Sequence, residues 1–201
     1  VCDVLPGVRL RIEHSVSKGH YCLLESKKGV SEDVVAQLLN RMREIVAEDI
    51  PFRRREQLTE DVIKIFERQG LTDKVQLLMS NRELYTVYYE LDNVCDSYYG
   101  NLAVSTGQID VFDLIPYKDG MLLLGFDKQN PSQPATPTVQ EKMFNAFTEY
   151  THFNHIIGIK NVGELNSLTN RQKTADLINV AEALHEKKIG RISDEITRRY
   201  H

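Results

Sequence analysis

The feature that most restricts how this chain can fold is one apolar stripe. After Ser31, the residues Val34, Val35, Leu38, Leu39, Met42, Ile45 and Val46 recur at three-to-four spacing, so the segment is a helix that must lay one face on an apolar surface. Ser31 is placed to cap it, since a serine hydroxyl accepts an amide proton that the first turn leaves without a partner. Pro51 is placed to end it. The surface it needs precedes it in the chain. Val8, Leu10 and Ile12 alternate with Arg9, Arg11 and Glu13, the period-two pattern of a half-buried strand ending near His14. Ser17, Lys18 and Gly19 supply a turn, and His20 to Ser26 reads as the returning strand, with Gly29 closing the segment.

Further along, residues 51–56 read as a short edge strand, and Thr59 as the cap of a second helix carrying Val62, Ile63, Ile65 and Phe66, with Gly70 as its stop. A third helix is expected over 72–80. The run 84–91 is dense in tyrosine and valine, which suits a pleated surface, and strands are also expected over 94–99, 108–115 and 121–126. Asp119-Gly120 joins the last two as a hairpin. Residues 127–138 hold three prolines and read as an exposed loop. Residues 139–150 read as a helix buried through Met143, Phe144 and Phe147, and 161–168 as irregular. From about Asn170, Ile178, Ala181, His185, Ile189, Ile192 and Ile196 keep one narrow stripe through Gly190, which predicts a long helix acting as a connector or a dimer contact. The fold class is therefore α+β, an antiparallel sheet with helices packed on it, followed by a long C-terminal helix.

A chain of 201 residues that is 41% hydrophobic can bury a core without disulfides. Its three cysteines, Cys2, Cys22 and Cys95, are scattered, and fit a reducing compartment better than a disulfide framework or a zinc ribbon. There is no run of about 18 apolar residues and no basic-then-apolar leader, so the expectation is a cytoplasmic protein without membrane contact. A net charge of −4 gives no global attraction to nucleic acid. Arg53, Arg54 and Arg55 form one local basic cluster, read either as a solvated strand edge or as a nucleic-acid contact.

No phosphate-binding string G-x-x-x-x-G-K-[ST] occurs, and no G-x-G-x-x-G, G-x-S-x-G or H-E-x-x-H string. His152 and His155 share a helical face but lack a third metal ligand at supporting spacing. No catalytic residue and no metal ligand is assigned. The candidate ligand pocket is drawn from His14, Lys18, His20, Cys95, Tyr98 and Tyr99. If the early strands and the segment around Cys95 lie side by side in one sheet, the imidazoles would donate or accept protons, a tyrosine would add a hydroxyl, and Lys18 would attract an anion. The simpler reading is a buried cysteine behaving as a small hydrophobe beside surface histidines.

The run SVSKGHYCLLE at 15–25, the Ser31 helix, the arginine-rich strand and YTVYYELDNVCDSYYG at 85–100 resemble the second additional domain of threonyl-tRNA synthetases, an α+β editing module shared with alanyl-tRNA synthetases. That resemblance covers residues 1–166. The wording SVSKGHYC and the closing TADLINVAEALHEKKIGRISDEI resemble the N-terminal region of bacterial uridine (nucleoside) kinases of the Bacteroides type, in which the module precedes a P-loop kinase domain. Residues 167–201 would then be the connector toward that domain. Editing modules use an H-x-x-x-H pair and a later C-x-x-x-H pair. Cys95 matches the later cysteine, whereas Tyr99 stands where its histidine belongs, and no H-x-x-x-H precedes the first strand. Hydrolysis of a mischarged ester needs a positioned water with a base or metal, so the resemblance implies a fold kept and an editing activity lost. It further implies an accessory region serving substrate binding, regulation or assembly, with no cofactor of its own, ATP and magnesium belonging to the kinase domain, and that domain as partner in the same chain, with a homodimer through the last helix as an added expectation. The alternative is a hydrolase of mischarged tRNA acting in trans, or an RNA-binding module.

Overall fold

The Ser31 hydroxyl accepts the amide proton of Val34, and α1 runs over Glu32–Ala47, as the stripe demands. In the computed structural model, which describes residues 1–26 and 29–200, the strands are β1 (Leu10–Val16), β2 (Gly19–Leu24), β3 (Arg53–Leu58), β4 (Tyr85–Leu91), β5 (Val94–Asp96), β6 (Asp113–Tyr117) and β7 (Gly120–Leu124). The remaining helices are α2 (Thr59–Arg68), α3 (Thr72–Ser80), α4 (Glu141–Ile156), α5 (Val162–Asn170) and α6 (Thr174–Tyr200). The protein is α+β. By its contacts the chain divides into two units, one of Val1–Arg54, Tyr89–Val94 and Tyr98–Thr148, the other of Arg55–Tyr88, Cys95–Ser97 and Glu149–His201.

In the first unit a four-stranded antiparallel sheet has the order β1-β2-β7-β6. Because side chains alternate across a strand, each face gathers its own cluster. Cys22, Leu24, Leu114 and Met121 meet Val35 and Leu38 of α1, while Val16, Tyr21, Leu122 and Leu124 meet Phe144 at the start of α4. The β1–β2 connection is one residue tighter than expected. Gly19 already pairs with Val16, leaving Ser17 and Lys18 as a two-residue loop. The Asp-Gly hairpin forms between β6 and β7 with Tyr117 opposite Gly120. Its tightness has a cause: a Cβ on Gly120 would lie 2.3 Å from the Cys22 carbonyl oxygen.

Residues 108–115 give a shorter strand than their composition predicts. A 3-10 turn at Thr106–Gln108 comes first, and the buried Thr106 hydroxyl donates to the Ile45 carbonyl (2.7 Å) while accepting the Ile50 amide (2.9 Å), closing the C-terminal end of α1. The loop after β7 is mostly exposed, but Ala135 is buried, its amide bonded to the Gly125 carbonyl at 2.8 Å. Helix α4 buries no residue fully and leaves Met143 48% exposed, against the expectation of a buried helix. Phe144, Phe147 and Phe153 are its partly buried positions.

The remaining strands form a three-stranded sheet of order β3-β4-β5, and the core of the second unit is Val62, Phe66, Val75, Leu78 and Tyr88. Thr59 does not cap α2. Its hydroxyl donates to the Glu83 carbonyl (2.7 Å) and lies 2.9 Å from the Thr86 hydroxyl, so it is spent on β4 rather than on the helix. The segment expected to be irregular is α5, capped by Asn161, whose side-chain oxygen accepts the Glu164 amide. Gly163 lets it approach α3 closely, since a Cβ there would lie 2.6 Å from the Leu77 nitrogen. Helix α6 runs 27 residues, about 40 Å, unbroken at Gly190.

Candidate functional site

The first unit holds a cavity of about 1160 Å³. Its walls are Met42, Ile45 and Val46 at the end of α1, with Phe52, Phe112 and Leu123. Its rim carries the β1–β2 turn with Lys18 and His20, and the end of β7 with Asp127 and Lys128. The Lys18 ammonium lies 3.6 Å from the Asp127 carboxylate. Amide donation from Gln129 and Asn130 (2.8 and 3.2 Å), with Lys18 a smaller contributor, holds that carboxyl below its ordinary range. His20 is exposed, its Nδ1 3.2 Å from the Ser15 hydroxyl.

His14 does not join His20. In the register Ser15 faces His20 and His14 faces Tyr21, so the two imidazoles lie on opposite faces of the sheet. His14 stacks on Phe147 and packs near Tyr21 and Phe144, its Nε2 buried without a hydrogen-bond partner among the described residues. Burial lowers its pKa, with Glu13 opposing.

Cys95 lies on β5, in the three-stranded sheet, whereas β1 and β2 belong to the four-stranded one. The shared sheet expected for His14, His20 and Cys95 is therefore not formed. Cys95 packs against the Phe66–Tyr88 core and donates its amide to the Gln69 side chain at 3.0 Å. Beside it in sequence, Asp96 pairs with Lys74 at 3.1 Å, and the same ammonium donates to the Ser97 carbonyl at 3.0 Å. The second unit thus sets Lys74, Asp96 and Gln69 around the backbone at the end of β5, while the Cys95 side chain packs on the apolar core. Lys74, Asp96 and Gln69 were not singled out from the sequence.

Tyr98 lies edge-on to Tyr89 and is half exposed, while Tyr99 is 97% exposed. Arg53, Arg54 and Arg55 are all exposed on β3, where alternation puts Arg54 on the face opposite Arg53 and Arg55. His152 and His155 are exposed on α4. Among the described residues no three His, Cys, Asp or Glu side chains gather as a metal site, and no helix is long and apolar enough to cross a membrane.

Comparison with known proteins finds no matching family model. The chain is weakly similar to threonine–tRNA ligases. It is 28% identical over 111 residues to that of Listeria monocytogenes serotype 4a, 27% over 114 residues to that of Listeria welshimeri, and 24% over 115 residues to that of Dehalococcoides mccartyi strain BAV1. These matches cover 55–57% of this chain, and 17–19% of the length of the ligases.

Proposed function

We propose that the chain is a non-catalytic accessory region of an ATP-dependent uridine or nucleoside kinase, a domain of the synthetase editing type that serves substrate binding, regulation or assembly. The observation that carries this reading is the environment of Cys95. Its side chain packs on the Phe66–Tyr88 core, as a small hydrophobe would, and the position four residues on is a solvent-exposed tyrosine instead of an imidazole. With a phenol where the editing pair carries its imidazole, that pair lacks its usual base for activating water.

Two measurements test it. The purified chain, incubated with Ser-tRNA(Thr) beside a threonine–tRNA ligase as positive control, is expected to release serine no faster than buffer. A rate above buffer that Cys95→Ala abolishes overturns the non-hydrolytic reading. The coding sequence beyond position 201 is expected to continue in frame into a G-x-x-x-x-G-K-[ST] string, and its absence overturns the kinase context.

The similarity to threonine–tRNA ligases favours a second reading, hydrolysis of mischarged tRNA in trans with Cys95 in the site. The deacylation assay separates the two, since only this one expects a Cys95-dependent rate.

A further inference from the structure

We propose that the cavity of the first unit binds an amphipathic anion, an extended apolar body ending in a carboxylate or phosphate-type group that Lys18 receives. This does not rest on the reading of Cys95 given above, because neither Cys95 nor Tyr99 lines the cavity.

Three observations converge on it. The first is an unfinished burial. The stripe of α1 is continuous through seven residues, yet only Val35 and Leu38 are fully covered, while Met42, Ile45 and Val46 remain part-exposed and line the cavity. An apolar occupant would complete the burial that the sheet begins. The second is size: about 1160 Å³ is at or above the range of about 300–1,000 Å³ typical of ligand pockets, which points to a body larger than a single amino acid.

The third is the way Lys18 is held. Ser17 and Lys18 both have left-handed backbones, with φ of 53° and 65°, as the two central residues of a type I′ hairpin require. Asparagine and glycine are the usual occupants, and other residues pay roughly 1–2 kcal/mol each for the geometry. The turn is pinned by the Ser17 amide, which donates to Gln140 Oε1 at 2.9 Å, and by the Ser17 hydroxyl, 3.2 Å from that of Tyr117. Unfavourable backbone geometry that is locked in this way is characteristic of functional sites, and here it sets a lysine at the cavity rim. Asp127 opposes Lys18 there through Oδ2 at 3.6 Å, its Oδ1 accepting the Gln129 and Asn130 amides, and the ammonium, with three donors to offer, can take a second anion beside it. With Lys128 also on the rim, the balance favours an incoming anion.

The test is calorimetric titration of the whole chain, below micelle-forming concentrations, with decanoate, decyl phosphate, decanol and decyltrimethylammonium. The two anions distinguish a carboxylate from a phosphate headgroup. One molecule of the preferred anion should bind per chain, with decanol about tenfold weaker and the cation showing no binding. Lys18→Met should weaken the anion about tenfold and leave decanol unchanged. Val46→Glu, or Phe126→Ser at the rim if the first variant fails to fold, should weaken both anion and alcohol. Equal binding of decanoate, decyl phosphate and decanol, unchanged anion affinity in Lys18→Met, or no binding by any of the four overturns the proposal.

Discussion

The imidazole of His14 stacks on the ring of Phe147, centroids 4.2 Å apart and planes inclined by 20°. This contact joins β1 to the start of α4 and removes a titratable group from water. Because burial lowers the His14 pKa below its ordinary 6.5, the unfolded chain takes up the proton first as pH falls. The stability tied to neutral His14 is in place above pH 6.5 and drains away as pH drops through that value toward the lower folded one. Urea unfolding at pH 7.5 and 5.5 should therefore show a larger loss in the native chain than in His14→Phe. Identical losses would count against it.

Tyr21 gives the alkaline counterpart. It is 3% exposed and its hydroxyl donates to Asp119, so burial first and then the carboxylate raise its pKa. The protonated form is the stable one in the fold, and its contribution is present below the ordinary phenol value of 10 and lost as pH rises beyond it. Tyr21→Phe should cost about 1–2 kcal/mol at neutral pH. It should leave the phenolate absorbance gained by the native protein up to pH 11 unchanged, and a reduced amplitude would show that Tyr21 ionises there.

Lys18→Gly should stabilise the protein. Glycine takes a positive φ without a steric penalty, so relief of one left-handed residue is worth about 1 kcal/mol, and the exposed pair with Asp127 that it removes is worth little. A thermal midpoint raised by roughly 2–4 °C is the expected outcome. A lower midpoint would mean that the lysine carries stability.

Gly163→Ala should act in the second unit. The atoms its Cβ would meet are the backbone of Gln76 and Leu77 and the Gln76 Cβ, which cannot swing aside, so a cost of about 2–3 kcal/mol is expected. Hydrogen exchange should speed up in α3 and α5 together, because Asn161 and Asn166 bond to Gln76 and Ser80 across that contact. Native stability in the variant would show that the helices separate at no cost.

What could be read from the sequence was local. The Ser31 cap, the α1 stripe, the Asp119-Gly120 turn and the span of α3 each depend on neighbours within a few residues, and each is found. Helix α5 was missed although Asn161-x-x-Glu164 is a capping pattern, because too few apolar residues follow to show a period. Thr59 was misassigned because its partners are 24 and 27 residues away. The same distance effect hid Lys74, whose partner Asp96 lies in another element and leaves no spacing to detect. The separation of His14 from His20 follows from turn length. With two loop residues instead of three, every cross-strand pair shifts by one and each side chain changes the neighbour it faces.

Helix α6 repeats its apolar row every eleven residues, with Ile178 answered by Ile189, Ala181 by Ile192, and His185 by Ile196. Eleven residues over three turns is slightly looser winding than the 3.6 of a straight helix, and the opposite sense to a heptad. Any helix laid along this row would therefore coil around it to the right, setting α6 apart from the left-handed supercoils that seven-residue repeats produce.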